Sequence, residues 1–146
     1  MPPDPVPPPV LTRDLPDEAA TAILAADIAA CLRPGDVIAL SGGLGVGKTT
    51  FARALVRALA GDPALEVPSP TFTLVQAYAT PRLSVAHFDL YRLAGPDELA
   101  EIGFTDAAEE GAVLVEWQER AGDHLPADRL TLALDIAGQG RRATLS

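Results

Sequence analysis

Gly42-Gly43-Leu44-Gly45-Val46-Gly47-Lys48-Thr49 follows the spacing G-x-x-x-x-G-K-[ST], and the chemistry that spacing serves is the grip of a polyphosphate. Glycines let backbone N–H groups turn inward around phosphate oxygens without interference from a Cβ. The helix that must follow aims the positive end of its dipole at the same anion. Lys48 can then reach the β- and γ-phosphates, and the Thr49 hydroxyl can ligate Mg²⁺. Lys48 is singled out a second way: ten of the eleven basic residues are arginine, and it is the only lysine. In a chain biased that far toward arginine, a solitary lysine points to chemistry rather than to surface charge.

Such a loop needs a carboxylate at the end of a neighbouring strand, to hold the Mg²⁺ shell or orient water. Asp89 closes the apolar run Val85-Ala86-His87-Phe88, and Glu116 closes Val113-Leu114-Val115. Carboxyl ends of strands open onto the crevice where ligands bind in sheets of this kind. Thr71 follows Pro70 and is either a turn residue or part of a segment that senses the γ-phosphate. His87, inside its apolar run, reads as a core histidine before it reads as a base. Trp117 either fills the core or lines the site beside Glu116. Cys31 reads as a small buried hydrophobe. Asp97, Glu98, Glu101, Glu109 and Glu110 read as a solvated helix face.

The elements around these residues follow from periodicity and punctuation. Asp17 to Leu32 is a helix with acids in its first turn, an apolar face of Ile23, Leu24, Ile28 and Leu32, and a stop at Arg33-Pro34-Gly35. Val37 to Leu40 is a continuous apolar run, as a strand covered on both faces requires. The helix after the glycine loop runs from about Lys48 to Ala60 and closes at Gly61. Thr73 to Tyr78 and Leu83 to Phe88 alternate as strands joined by a hairpin at Thr80-Pro81. A short helix starts at Pro96-Asp97-Glu98 and stops at Gly103. Ala112 to Glu116 is a second buried strand, and Leu130 to Ile136 and Arg141 to Leu145 flank a hairpin at Gly138-Gln139-Gly140. The expected fold is α/β, a mostly parallel central sheet with antiparallel additions and helices on both faces.

Length and composition bound the rest. A chain of 146 residues is one domain and can bury roughly two-thirds of its unfolded surface. Six of the fourteen prolines lie in the first nine residues, so Met1 to Val10 reads as a polyproline-like or disordered tail. The domain is expected over residues 15–146, with 1–14 outside it. The start has no basic n-region and no apolar h-region, and no stretch approaches a membrane span, so a soluble cytoplasmic protein is expected. One cysteine and two histidines exclude a disulfide and a Cys/His zinc cage, and the absence of asparagine excludes mechanisms that need one. A net charge of −9 opposes tight unaided binding of DNA or RNA.

Four segments in order and spacing resemble the TsaE family, the small bacterial ATPases of tRNA threonylcarbamoyladenosine synthesis. They are Gly42 to Phe51, Ser69-Pro70-Thr71-Phe72-Thr73-Leu74, His87-Phe88-Asp89-Leu90-Tyr91-Arg92 and Leu114-Val115-Glu116-Trp117. The resemblance spans about Leu15 to Ser146. It implies a P-loop fold, ATP with Mg²⁺, and action alongside the TsaD–TsaB complex, which installs threonylcarbamoyl on adenosine 37 of ANN-decoding tRNAs. Hydrolysis would support turnover of that complex, while another enzyme makes the threonylcarbamoyl-adenylate. By the same resemblance, nucleotide contacts run from Gly43, Leu44, Gly45, Val46 and Gly47 through Lys48, Thr49 and Thr50, with Thr21 near the base. Thr49 and Glu116 are the implied Mg²⁺ ligands, Asp89 the Walker-B-like acid and Thr71 a switch-like threonine. The family usually has Asp where this chain has Gly43, and the proline-rich start has no counterpart in it.

Two other readings share the loop. A small-molecule kinase would need an acceptor pocket and a lid with arginines, and Ala94 to Gly111 has none. A GTP-driven module commonly reads guanine with an Asn/Gln-Lys-x-Asp loop, for which the chain lacks both Asn and a second Lys. With no arginine placed at the γ-phosphate in cis, a slow ATPase stimulated by a partner is expected.

Overall fold

The structure, a computed structural model, describes residues 11–43 and 45–146. Seven strands form one sheet: β1 (Leu11–Leu15), β2 (Val37–Ser41), β3 (Val75–Ala79), β4 (Ser84–Asp89), β5 (Gly111–Glu116), β6 (Leu130–Ala137) and β7 (Gly140–Leu145). Their order is β1-β7-β6-β2-β5-β4-β3. The four central strands, β6, β2, β5 and β4, are parallel, and β3, β7 and β1 are added antiparallel at the two sides. Helices α1 (Glu18–Cys31) and α2 (Lys48–Ala60) pack together, and the short α3 (Glu98–Glu101) and α4 (Phe104–Glu110) lead into β5.

Alternation along the strands sorts side chains onto two cores. Ala112 and Leu114 of β5 join Ile38, Leu40, Phe51 and Leu55 under α1 and α2. Val113 and Val115 join Phe88, Leu99 and Phe104 on the opposite face, where the Phe88 and Phe104 rings meet edge-on at 5.5 Å. A period of two explains why these buried strands are apolar at every position. It also explains where the apolar runs end: Asp89 pairs in register with Glu116, and Glu116 with Leu40. Both acids therefore stand side by side at carboxyl ends of parallel strands, one residue past the last core position.

Helix α1 starts where the Asp17 carboxylate accepts the Ala20 N–H at 2.9 Å, a side-chain N-cap. Its other end is held by the Arg82 guanidinium, which donates to the carbonyls of Leu32, at 2.6 Å, and Ala29. The buried face is Thr21, Leu24, Ala25 and Ala29, with Leu32 beyond the end. Ile23, expected on that face, is 62% exposed. Small side chains at positions 21, 25 and 29 let α1 lie close to α2, and this turns the helix so that Ile23 faces out. Cys31 is exposed rather than buried for the same reason.

Three boundaries differ from expectation. Leu11 to Asp14 belong to the sheet, as β1 in antiparallel register with β7, rather than to the tail. Only Leu15 of that strand is buried, so backbone pairing rather than apolar patterning holds it. The segment after Gly103 continues as α4, with Phe104 buried at its start. Thr73 and Leu74 precede β3 in a turn, closed by the Leu74 N–H on the Pro70 carbonyl at 2.8 Å. The proline-rich stretch through Val10 and the loop residue Leu44 lie outside the described residues. Among the described residues no helix is long and apolar enough to cross a membrane.

Candidate functional site

The glycine loop bridges β2 and α2, as its flanking sequence requires. Gly42 has φ +139°, and a Cβ there would meet the Leu134 carbonyl oxygen at 2.6 Å and Val46 Cγ1 at 2.7 Å. Gly47 stands at the helix entrance with φ +109°, a left-handed conformation that glycine adopts without a Cβ penalty. From the other side Arg141 of β7 donates from Nε to the Val46 carbonyl at 2.9 Å and from Nη2 to the Gly45 carbonyl at 3.4 Å. With these two carbonyls taken up outside, that part of the loop is left with N–H groups for an anion, the polarity a phosphate needs.

Lys48 is only 7% exposed, and its Nζ lies 4.0 Å from the centroid of the Trp117 ring. Among the described residues no carboxylate pairs with it. A cation–π contact of this kind is worth roughly 0.5–2 kcal/mol, much less than a direct charge pair in a desolvated site. The ammonium is thus held in place yet free to take an anionic partner. Trp117 reaches it because its own backbone adopts φ +60°, turning the chain sharply after Glu116. The half-buried ring lines the site, packs on Tyr91 at 4.9 Å and rests against the far-face core, so it is part of both.

The two strand-end acids do different things. Glu116 is 3% exposed and uses both oxygens: Oε1 accepts the Thr49 hydroxyl at 3.4 Å, and Oε2 accepts Nε2 of His87 at 2.7 Å. Asp89, 5% exposed, accepts the Tyr91 N–H on Oδ1 at 3.0 Å and the Thr71 hydroxyl on Oδ2 at 3.2 Å. Thr71 also meets the Ser69 hydroxyl at 2.8 Å. Glu116 is therefore joined to the glycine loop, and Asp89 to the Thr71 segment. Leu74, at φ +68°, bends that segment back so that its carbonyl accepts the Asp89 N–H at 2.9 Å. Thr71 accordingly lies in that turn with its hydroxyl on Asp89.

Gly45, Gly47, Lys48, Thr49, Thr50, Ser69, Thr71, Asp89, Glu116 and Trp117 line one cavity of about 440 Å³. A second, of about 300 Å³, lies across the loop and shares Gly45, Gly47 and Thr50 with it; Asp17, Glu18, Thr21, Val46, Gly140 and Arg141 are among its other walls. Thr21 is buried there, its hydroxyl donating to the Asp17 carbonyl at 3.5 Å. The structure thus places the expected residues Lys48, Thr49, Thr50, Thr71, Asp89 and Glu116 around the first cavity and Thr21 in the second, with Thr50 common to both. Gly43 is exposed and borders neither cavity.

The donor set suits Mg²⁺ carried by a polyphosphate. No group of three His, Cys, Asp or Glu converges among the described residues, so no all-protein cage exists there. One hydroxyl beside one carboxylate is what Mg²⁺ uses when phosphate oxygens and water fill its other positions. Sequence reasoning missed Arg141 and gave His87 to the core. Nothing local marks Arg141, which stands 95 residues from Val46 and among nine other arginines. For His87 the signal was present: a donor two positions before Asp89, on the same face of β4.

Comparison with known proteins agrees with this architecture. The profile of the family described as threonylcarbamoyl adenosine biosynthesis protein TsaE matches residues 15–144. The tRNA threonylcarbamoyladenosine biosynthesis protein TsaE of Aquifex aeolicus is 41% identical over 128 residues, covering 88% of this chain and 89% of that protein. The protein of the same name from Rickettsia felis is 36% identical over 126 residues, covering 86% and 73%. The crystal structure of Bacillus subtilis YdiB superposes with a TM-score of 0.76 at 32% identity, covering 94% of this chain and 84% of that one. The strand–glycine loop–helix unit, the parallel sheet around it and these matches carry one conclusion: the chain has the P-loop fold and belongs to the TsaE family.

Proposed function

We propose that this chain binds ATP with Mg²⁺ and hydrolyses it slowly, serving the threonylcarbamoyl modification of adenosine 37 in ANN-decoding tRNAs together with TsaD–TsaB. The observation that carries the reading is the contact between Thr49 and Glu116, 3.4 Å across 67 residues of chain. It joins the phosphate-binding loop to a buried strand-end carboxylate, a pairing that a purely structural glycine turn has no use for. The family's role in tRNA threonylcarbamoyladenosine biosynthesis supports the process named.

Each residue has a physical part in that reading. The loop N–H groups and the start of α2 take the phosphate oxygens, and the second cavity, beside Thr21 and Arg141, has room for the nucleoside. Lys48 exchanges the Trp117 ring for the β- and γ-phosphates. Thr49 and Glu116 would hold Mg²⁺, which when bound neutralises charge on the phosphoryl oxygens. Asp89 fixes the Thr71 hydroxyl at the edge of the phosphate cavity, where it can orient the γ-phosphate or the attacking water. Arg92 lies over Phe72 at 4.8 Å and Arg120 over Tyr91 at 5.5 Å, so both guanidiniums are engaged with rings. A transition-state cation missing in cis costs about 10³ to 10⁵ in rate, which supports a slow isolated ATPase. The charge of −9 supports contact with tRNA through the partner rather than directly, and the reading places the chain in the cytoplasm. A kinase lid finds no support, since the segment 94–111 folds as α3 and α4 with Leu99 and Phe104 in the core of the far face.

The test is steady-state phosphate release from ATP and from GTP, by the protein alone, with tRNA, and with TsaD–TsaB. ATP turnover that rises with TsaD–TsaB is expected. Stimulation by naked tRNA but not by the protein partner would overturn the partnership, and absence of turnover in every arm would overturn the ATPase.

A further inference from the structure

His87 is 1% exposed in the middle of β4, and its ring does something that an aliphatic residue there could not. Nε2 donates to Glu116 Oε2 at 2.7 Å, while Nδ1 is buried without a hydrogen-bond partner. A buried nitrogen without a partner is costly, and the one hydrogen bond the ring makes in return is the one to Glu116. Geometry says what that bond accomplishes. His87 is in register with Leu114, so Glu116 lies diagonally ahead of it on the same face of the neighbouring strand. The ring takes one carboxylate oxygen and leaves Oε1 as the oxygen that meets Thr49. Without it, the long 3.4 Å contact with the Thr49 hydroxyl would be the one side-chain hydrogen bond left on the carboxylate.

We infer that His87 is a positioning residue for the cation site: it fixes the Glu116 carboxylate so that Oε1 and the Thr49 hydroxyl form one preset pair. This rests on the reading of Thr49 and Glu116 as the Mg²⁺ ligands. Partners of this kind typically contribute 10- to 100-fold in metal affinity. The contribution is to the cation rather than to the nucleotide, because the loop N–H groups and Lys48 are untouched by it.

Calorimetric titration with the β,γ-imido analogue of ATP, in EDTA and across a MgCl₂ series, separates the two. His87→Leu is expected to bind the analogue in EDTA within twofold of the parent and to need at least tenfold more MgCl₂ for the cation-dependent gain. His87→Gln, whose amide can reach where Nε2 stood, is expected to recover to within about threefold. His87→Asn, too short to reach Glu116, carries the test should the leucine variant fail to fold. A parent-like MgCl₂ midpoint in Leu or Asn overturns the inference, as does an equal loss in EDTA or a Gln variant no better than Leu. If the parent itself gains no affinity from MgCl₂, the Thr49–Glu116 cation site falls, and the inference with it.

Discussion

Adding one methyl group to successive glycines of the loop should give three different answers. At Gly42 the new Cβ would sit 2.6 Å from the Leu134 carbonyl oxygen and 2.7 Å from Val46 Cγ1, at φ +139°. The oxygen belongs to β6 and cannot rotate away, so the loop or the strand must shift. Overpacking of this kind costs about 1–3 kcal/mol, and a non-glycine residue in that backbone region about 1–3 more. At Gly45, φ is +73° with open space around the Cβ, so only the left-handed backbone penalty of about 1–2 kcal/mol applies. Gly43 has open space and no positive φ, and its alanine variant should lie within about 0.5 kcal/mol of the parent. Urea unfolding of the three alanine variants measures the order. Gly42→Ala should lose about 2–6 kcal/mol, which at this chain length lowers Tm by about 2–4 °C per kcal/mol. If Gly42→Ala is as stable as Gly43→Ala, or if Gly45→Ala loses as much as Gly42→Ala, the close approach of the loop to β6 is wrong.

Other perturbations address the chemistry and the core. Lys48→Ala should lower ATP hydrolysis at least about 100-fold, because it removes the only side-chain cation of the loop; near-parent turnover would displace the active site from this loop. Thr71→Val and Asp89→Asn should be strongly non-additive in kcat, since the Thr71 hydroxyl works from the Asp89 carboxylate; a double variant equal to the product of the two single losses refutes that coupling. Tyr78→Phe should be as stable as the parent or up to about 1 kcal/mol more so, because its hydroxyl is buried without a partner. Burial also pushes the Tyr78 phenol above its usual value of 10.0, so its share of stability is present below that pH and lost as pH rises through the raised value. The phenylalanine variant should lack that alkaline loss in pH-dependent melts, and an unchanged profile would contradict it.

Sequence alone was enough where a local physical requirement had a local signature. The strand–loop–helix unit was legible because glycine spacing, a lone lysine and a threonine stand beside a continuous apolar run, and each is demanded by phosphate or by burial. Asp89 and Glu116 were legible because a carboxylate directly after a buried strand has to leave the core at that strand's carboxyl end. Their division of labour was not legible. Which acid meets Thr49 depends on the β4–β5 register and on the diagonal reach of His87, and both are relations between strands. Arg141 was hidden for the same reason, since it touches the loop only because β7 folds back beside it. Leu11 to Asp14 carry no apolar pattern because backbone hydrogen bonds to β7, which any residue type can make, hold them in the sheet. Ile23 misled because an alanine-rich helix with little difference between its faces does not state its rotation until a neighbour, here α2, selects the face that fits closest. Local covalent geometry and burial are written in residue types; register, rotation and long-range hydrogen bonds are settled by what packs against what.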